Sequence, residues 1–115
     1  VHSSAIVGSQ NVLEDGVIIC PKVVITNGTH IKEHVLVNLN CTIGHGSYIG
    51  QFTTISPGAN ISGDVRLGNF NYVGTNATIR EKVITTHNVT IGMSAVVVKD
   101  LNHPGVYIGN PLRKL

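Results

Sequence analysis

The chain has 115 residues, the length of a single domain, of which 42% are hydrophobic, 4% aromatic and only 12% charged. A formal net charge of +2 at pH 7 is too small to indicate a nucleic acid or an acidic membrane surface as a partner. The sequence has neither an apolar run long enough to span a bilayer nor a signal-peptide pattern. Its two cysteines, Cys20 and Cys41, are too few for a disulfide framework, and this indicates a reduced, cytoplasmic setting.

A six-residue repeat runs through most of the chain. Starting at Val1, every sixth residue is aliphatic in sixteen of seventeen cases, and the exception is the β-branched Thr85. The series is Val1, Val7, Leu13, Ile19, Ile25, Ile31, Val37, Ile43, Ile49, Ile55, Ile61, Leu67, Val73, Ile79, Thr85, Ile91 and Val97. Four residues after each member stands a mostly small or β-branched residue, which indicates a narrow interior.

Turn-forming residues separate the aliphatic positions. Examples are Asp15-Gly16, Asn27-Gly28, His45-Gly46 and Pro57-Gly58, where Gly and Asn tolerate positive φ. A turn every six residues closes a triangle of about 18 residues, and parallel strands then stack one coil on the next. The sequence therefore predicts an all-β fold, a parallel β-helix of about five to six coils over residues 1–98.

The repeat stops after Val97. Residues 99–115 predict a chain reversal at Asn102-His103-Pro104-Gly105, then a short strand and a tail that cap the open end of the stack. No comparable cap occurs at the other end of the sequence. We therefore expect a further domain upstream of Val1.

The Ile-Gly pattern resembles that of the hexapeptide-repeat acyltransferases, and the resemblance covers essentially the whole chain. It occurs at Ile43-Gly44, Ile49-Gly50, Leu67-Gly68, Val73-Gly74 and Ile91-Gly92. The resemblance implies a left-handed parallel β-helix that assembles as a homotrimer with active sites between subunits. The handedness rests on the resemblance alone, because parallel crossovers are normally right-handed.

Within that superfamily, three segments are similar to the sialic acid O-acetyltransferase (NeuD-like) branch, which includes PglD-like sugar acetyltransferases. They are residues 38–45, residues 52–59 and Gly109-Asn110-Pro111. The similarity implies direct transfer of an acetyl group from acetyl-CoA to a hydroxyl or amine of a sugar or nucleotide-amino-sugar. It also implies a Rossmann-like domain before the β-helix.

His45 is the candidate catalytic residue. The residues alone favour a solvated loop histidine, because His45 stands in a turn before Gly46, whereas the resemblance implies a general base. The resemblance also places Asn38 and Thr54 at substrate-binding positions and the Gly63 N–H beside the acetyl carbonyl oxygen, although a turn explains Gly63 equally well. Some relatives have Glu where this chain has Gly46, and some have His where it has Thr54. The group that would orient His45 is therefore open.

The resemblance further implies that pantetheine lies in a groove between two β-helices. Thr75 and Met93 are candidates to line that groove, as are Ala77, Ser94 and Ala95. Lys99, Arg113 and Lys114 are candidates to bind CoA phosphates, although a solvated basic tail is an equal alternative. No metal site is predicted, since His30 and His34 lack the five-residue spacing that γ-class carbonic anhydrases of this fold use.

Two other functions fit the same sequence. One is an amino-acid acyltransferase such as serine O-acetyltransferase, which would carry a helical domain upstream. The other is a non-catalytic β-helix that serves as a trimerisation module. The acceptor and the choice between O- and N-transfer stay open from the sequence.

Overall fold

The computed structural model describes all 115 residues as short strands and turns, without an α-helix. None of its elements is a helix with the length and hydropathy that crossing a bilayer requires. The strands are β1 (Ile6–Val7), β2 (Val12–Leu13), β3 (Ile18–Ile19), β4 (Val24–Ile25), β5 (His30–Ile31), β6 (Leu36–Val37), β7 (Thr42–Ile43), β8 (Tyr48–Ile49), β9 (Thr54–Ile55), β10 (Asn60–Ile61), β11 (Arg66–Leu67), β12 (Tyr72–Val73), β13 (Thr78–Ile79), β14 (Val89–Ile91), β15 (Val96–Val97), β16 (Gly105–Ile108) and β17 (Arg113–Lys114).

Up to β13 every third strand joins the same sheet, so the chain winds around a triangular prism. Sheet A has the order β1-β4-β7-β10-β13-β15, sheet B β2-β5-β8-β11, and sheet C β3-β6-β9-β12-β14-β16-β17. The register advances by three repeats of the sequence per coil, as in the pairs Ile6↔Val24 and Val24↔Thr42. The predicted all-β fold is confirmed as a left-handed β-helix of about six turns, with overall dimensions of 37 × 21 × 20 Å.

The interior is filled by the second residue of each strand. Ile43, Ile49 and Ile55 lie in three successive sheets and are all fully buried. The small residue after each turn also points inward, as does Cys41, which stands four residues after Val37 and is fully buried. This column of apolar side chains accounts for the stability of strands only two residues long, because burying one such side chain contributes roughly 1.5–3 kcal/mol.

A residue in the left-handed backbone region marks every corner of the prism. These residues recur every six positions: Gln10, Gly16, Lys22, Gly28, His34, Asn40, Gly46, Phe52, Gly58, Asp64, Phe70, Asn76, Lys82, Asn88 and Ser94. From Gly28 onward their N–H groups bond to carbonyls of the preceding coil, as when Asp64 donates to the His45 carbonyl at 2.8 Å. The corners form three edges. We call the edge from sheet A to B the first edge, that from B to C the second, and that from C to A the third.

The residues after Val97 leave the six-residue pattern. Leu101 is buried and bridges to Thr85, and β16 then extends sheet C in parallel beside β14. β17 folds back antiparallel on β16. The Tyr107 hydroxyl donates to the His103 carbonyl at 2.7 Å and fixes this last segment.

Candidate active site on the first edge

The first edge carries His45 between β7 and β8, in a corner formed by residues 44–47. The imidazole is 71% exposed, and Gly63 lies beneath it on the next coil. A Cβ atom on Gly63 would lie 2.6 Å from Cε1 and 2.9 Å from Nε2 of His45. The lack of a side chain at residue 63 therefore gives the imidazole room to lie over the backbone of the next coil.

Gly63 also carries a backbone donor beside that imidazole. Its N–H bonds to none of the chain's carbonyl groups, whereas the adjacent Asp64 N–H is bound to the His45 carbonyl. Gly44 allows close contact here, because a Cβ atom on Gly44 would lie 2.6 Å from the Gly63 nitrogen. The first edge thus brings an accessible imidazole and an unused hydrogen-bond donor together at one surface point.

A carboxylate completes this group of residues. Asp64 Oδ2 lies 3.6 Å from His45 Nε2, and the Asp64 side chain is 51% exposed. Asp64 is not among the site residues predicted from the sequence. The register contains the signal, since residues 46 and 64 are separated by one full coil and therefore stack on one edge.

The other predicted polar residues lie on different parts of the prism. Asn38 and Thr75 belong to the third edge, where the Asn38 side chain accepts a bond from the Leu39 N–H at 2.8 Å. Met93 is on the same edge and is 76% exposed. Thr54 points outward from sheet C. Within one chain, then, the structure brings only Gly63 of the predicted residues to His45.

The predicted phosphate-binding residues lie at the C-terminal end of the helix. Lys99, Arg113 and Lys114 line one shallow cavity of about 320 Å³, together with Asp100 and Tyr107. Three basic side chains in one cavity give it the charge that a phosphate ligand needs.

Other reactive groups are placed differently. Burial raises the pKa of the Cys41 thiol, and its Sγ donates to the Ser56 carbonyl at 3.0 Å, so Cys41 is a core residue rather than a nucleophile. No three His, Cys, Asp or Glu side chains lie close enough together to hold a metal ion.

The chain is similar to known acetyltransferases in both sequence and structure. It is 32% identical over 82 residues to a GDP-perosamine N-acetyltransferase from Escherichia coli O157:H7, a match that covers 71% of the chain and 37% of that protein. The acetyltransferase domain of PglB from Neisseria gonorrhoeae FA1090, solved with acetyl coenzyme A, superposes with a TM-score of 0.94 at 32% identity. That match covers 99% of the chain and 56% of the PglB chain. The chain belongs to the hexapeptide-repeat acyltransferase family.

A further family member has the same fold at lower identity. A mutant of perosamine N-acetyltransferase from Caulobacter crescentus, in complex with CoA and GDP-perosamine, gives a TM-score of 0.98 at 24% identity. The match covers 100% of the chain and 55% of the solved protein, so the chain spans about half the length of these solved relatives. No family profile matches the sequence. The predicted resemblance to sugar acetyltransferases of this family is confirmed.

Proposed function

We propose that the protein transfers an acetyl group from acetyl-CoA to a sugar, with His45 as the general base. The observation that carries this proposal is the exposed His45 imidazole lying over Gly63, whose N–H has no partner. The relatives' names and ligands support the same chemistry.

The geometry accounts for the transfer in one direct displacement. His45 accepts a proton as the acceptor nitrogen or oxygen forms a bond to the thioester carbonyl carbon. The Gly63 N–H donates to the oxygen of that carbonyl, on which negative charge develops. The C–S bond then breaks, and the CoA sulfur leaves as a thiol after taking the proton from His45. No covalent acetyl-enzyme is formed.

We assign the acceptor to the class of nucleotide-linked amino sugars, and so propose N- rather than O-transfer. The support is the 32% identity to a GDP-perosamine N-acetyltransferase and the binding of GDP-perosamine by a structural relative. A neutral imidazole suits this acceptor, because a protonated amine must lose a proton before or during attack.

The positions of the remaining candidates support a homotrimer with the active site between subunits. Asn38, Thr75 and Met93 lie on the third edge and Thr54 on sheet C, so they can meet the first edge only in a neighbouring copy. Lys99, Arg113 and Lys114 would bind the CoA phosphates. Two unpaired cysteines and dependence on acetyl-CoA support a cytoplasmic location.

The test is turnover of acetyl-CoA and GDP-perosamine by the complete protein. We expect His45→Ala to lower kcat by about 10²–10⁴-fold, with an unchanged melting temperature, because a positioned general base contributes that much. His34→Asn, an exposed histidine of the second edge replaced by a residue that tolerates positive φ, is the matched control.

Two results would contradict the proposal. Unchanged kcat in the His45→Ala variant would show that His45 is not the general base. An acetyl group found covalently attached to a Ser or Cys side chain by mass spectrometry after mixing with acetyl-CoA would replace the direct displacement by a two-step route.

A further inference from the structure

We propose that Asp64 is the positioning residue of the His45 base, and that Gly46 is a glycine because Asp64 needs the space beside it. This inference deepens the proposed function and rests on it. The Asp64 carboxylate would orient the His45 imidazole from the next coil. The two residues are far apart in the sequence but adjacent in space.

The backbone holds the two side chains in register. The Asp64 N–H donates to the carbonyl of His45 at 2.8 Å, so the residues are directly bonded neighbours across two coils. Their side chains leave that contact on the same edge, and His45 Nε2 reaches Asp64 Oδ2 at 3.6 Å. No other basic side chain forms an ion pair with Asp64, which leaves the carboxylate available to the imidazole.

Gly46 gives the second, independent observation. Gly28 and Gly46 stack on the first edge with the same φ of 69°. A Cβ atom on Gly28 would meet nothing within 4 Å, whereas one on Gly46 would overlap the Asp64 carboxylate. Other corners accept Asn40, Asn76 and Lys82 at similar φ, so backbone conformation alone does not demand glycine at residue 46. The space it leaves is filled by Asp64.

The chemical consequence is the choice of tautomer. A carboxylate beside Nε2 favours the proton on that nitrogen and leaves the Nδ1 lone pair free to accept a proton from the acceptor. It also stabilises the imidazolium that forms during transfer. A separation of 3.6 Å exceeds a hydrogen bond, and such contacts commonly tighten when substrate binds.

The first test is Asp64→Asn, which keeps a residue that tolerates positive φ and so keeps the fold. We expect kcat to fall about tenfold or more, with the Kd for acetyl-CoA unchanged. Glu81→Gln, which removes a carboxylate from the next coil of the same edge, should leave kcat at the wild-type value. In the His45→Ala background, Asp64→Asn should cause no further loss, because its effect passes through His45. A wild-type kcat, or an equal loss in both backgrounds, would overturn the inference.

The second test compares Gly46→Ala with Gly28→Ala. Both place a methyl group at the same φ, so both carry the same backbone cost, but only the methyl at residue 46 meets Asp64. Because both variants place a side chain at positive φ, we expect this strain to lower their melting temperatures equally. We expect kcat to fall only in Gly46→Ala. Equal kcat in the two variants would show that the space at residue 46 has no role.

A third measurement separates this inference from the proposed function. The ¹⁵N shifts of the His45 ring report its tautomer without any substrate. We expect a proton fixed on Nε2 in the wild type and a mixture of tautomers in Asp64→Asn. If His45→Ala keeps its turnover, the proposed function fails, even when the ¹⁵N shifts show that Asp64 fixes the tautomer of His45. If His45→Ala is inactive but Asp64→Asn changes neither kcat nor the tautomer, the role of Asp64 alone fails.

Discussion

The first and second edges share one backbone geometry, and a histidine lies beside a carboxylate at each of them. Where sheet B meets the second edge, Nε2 of His30 in β5 lies 2.8 Å from Oε2 of Glu14, and these side chains are 39% and 33% exposed. On the first edge, His45 and Asp64 are 3.6 Å apart and 71% and 51% exposed. The Tyr48 ring packs edge-on against His30, whereas His45 has only Gly63 beneath it.

In this uniform repeat, packing contacts and accessible polar groups therefore lie on different edges. The second edge closes its surface with a stack of His34, Phe52 and Phe70, whose ring centroids are 5.0 and 5.3 Å apart. The first edge has Gly46 and Gly63 in the corresponding region and leaves its polar groups accessible. We therefore expect substitutions on the second edge to change stability and those on the first edge to change turnover.

The largest change in stability is expected from substitution of Asn71, a buried residue of the second edge. Its Nδ2 donates to the carbonyls of Thr86 and Asn69 at 2.9 and 3.1 Å, and its Oδ1 accepts from the Thr85 hydroxyl at 2.6 Å. Asn71→Val should lower the free energy of unfolding by about 1–3 kcal/mol, because the buried Thr85 hydroxyl loses its acceptor and two partly buried carbonyls lose their donor. Urea unfolding at fixed protein concentration measures it.

The matched control for Asn71→Val is Ser47→Ala, at the equivalent inward position of the first edge. Ser47 makes two bonds, since its hydroxyl donates to the Ser62 carbonyl at 3.0 Å and accepts from the Val65 N–H at 3.2 Å. The side chain of Asn71 makes three, so the loss from Ser47→Ala should be the smaller of the two, about 1 kcal/mol. A larger loss for Ser47→Ala than for Asn71→Val would contradict the assignment of the second edge as the more strongly bonded one.

A smaller effect is expected at Phe70, which combines an exposed ring with a φ of 56°. Phe70→Asn loses a stacking contact of about 0.5–1.5 kcal/mol but relieves positive-φ strain of about 1–2 kcal/mol. The two changes offset each other, so the melting temperature should stay close to that of the wild type.

Phe70→Ala distinguishes these contributions, because alanine loses the ring and keeps the strain. It should melt at a lower temperature than Phe70→Asn. If both variants melt alike, the backbone at residue 70 is not strained enough to matter.

The smallest effect concerns pH and the Glu14–His30 pair. The hydrogen bond from His30, aided by Lys32, lowers the pKa of Glu14 below its ordinary value. A carboxyl group with a lowered folded-state pKa stabilises the fold above its ordinary pKa, and this contribution disappears as the pH falls through the folded value. Glu14→Gln should therefore melt slightly below the wild type at neutral pH and equal it in acid.

Asp15→Asn is the control for Glu14→Gln, since the exposed Asp15 carboxylate forms no ion pair. It removes a neighbouring carboxylate that has no such partner, so a difference found only in Glu14→Gln belongs to the Glu14–His30 contact. A Glu14→Gln difference that persists undiminished in strong acid would contradict the lowered pKa.

Most of the fold could be predicted from the sequence, because a single period controls it. The inward series from Ile19 to Val97 is buried throughout, including Thr85 at 4% exposure. The positions of the corners could be predicted from Gly and Asn, which tolerate positive φ. Phe52 and Phe70 adopt the same positive φ, which residue preference alone would not assign to them. Backbone bonds to neighbouring coils impose that conformation, and such bonds are invisible in a single repeat.

The candidate site was less predictable for a related reason. His45 stood out by its turn position and by resemblance, but Asp64 lies far along the sequence and has no local signal. Only the register of three repeats per coil brings it beside the imidazole. Residues such as Asn38 and Thr54 belong to other surfaces of the prism, and their role depends on how copies of the chain assemble.

The fixed register also limits how such a chain can change length during evolution. Deleting one six-residue repeat between His45 and Gly63 would keep the later aliphatic positions facing inward. It would, however, move all later corners to the neighbouring edge and carry Gly63 and Asp64 away from His45. Within this interval only the gain or loss of a whole coil keeps these residues together, so the length changes compatible with the site are three times longer than those compatible with the repeat.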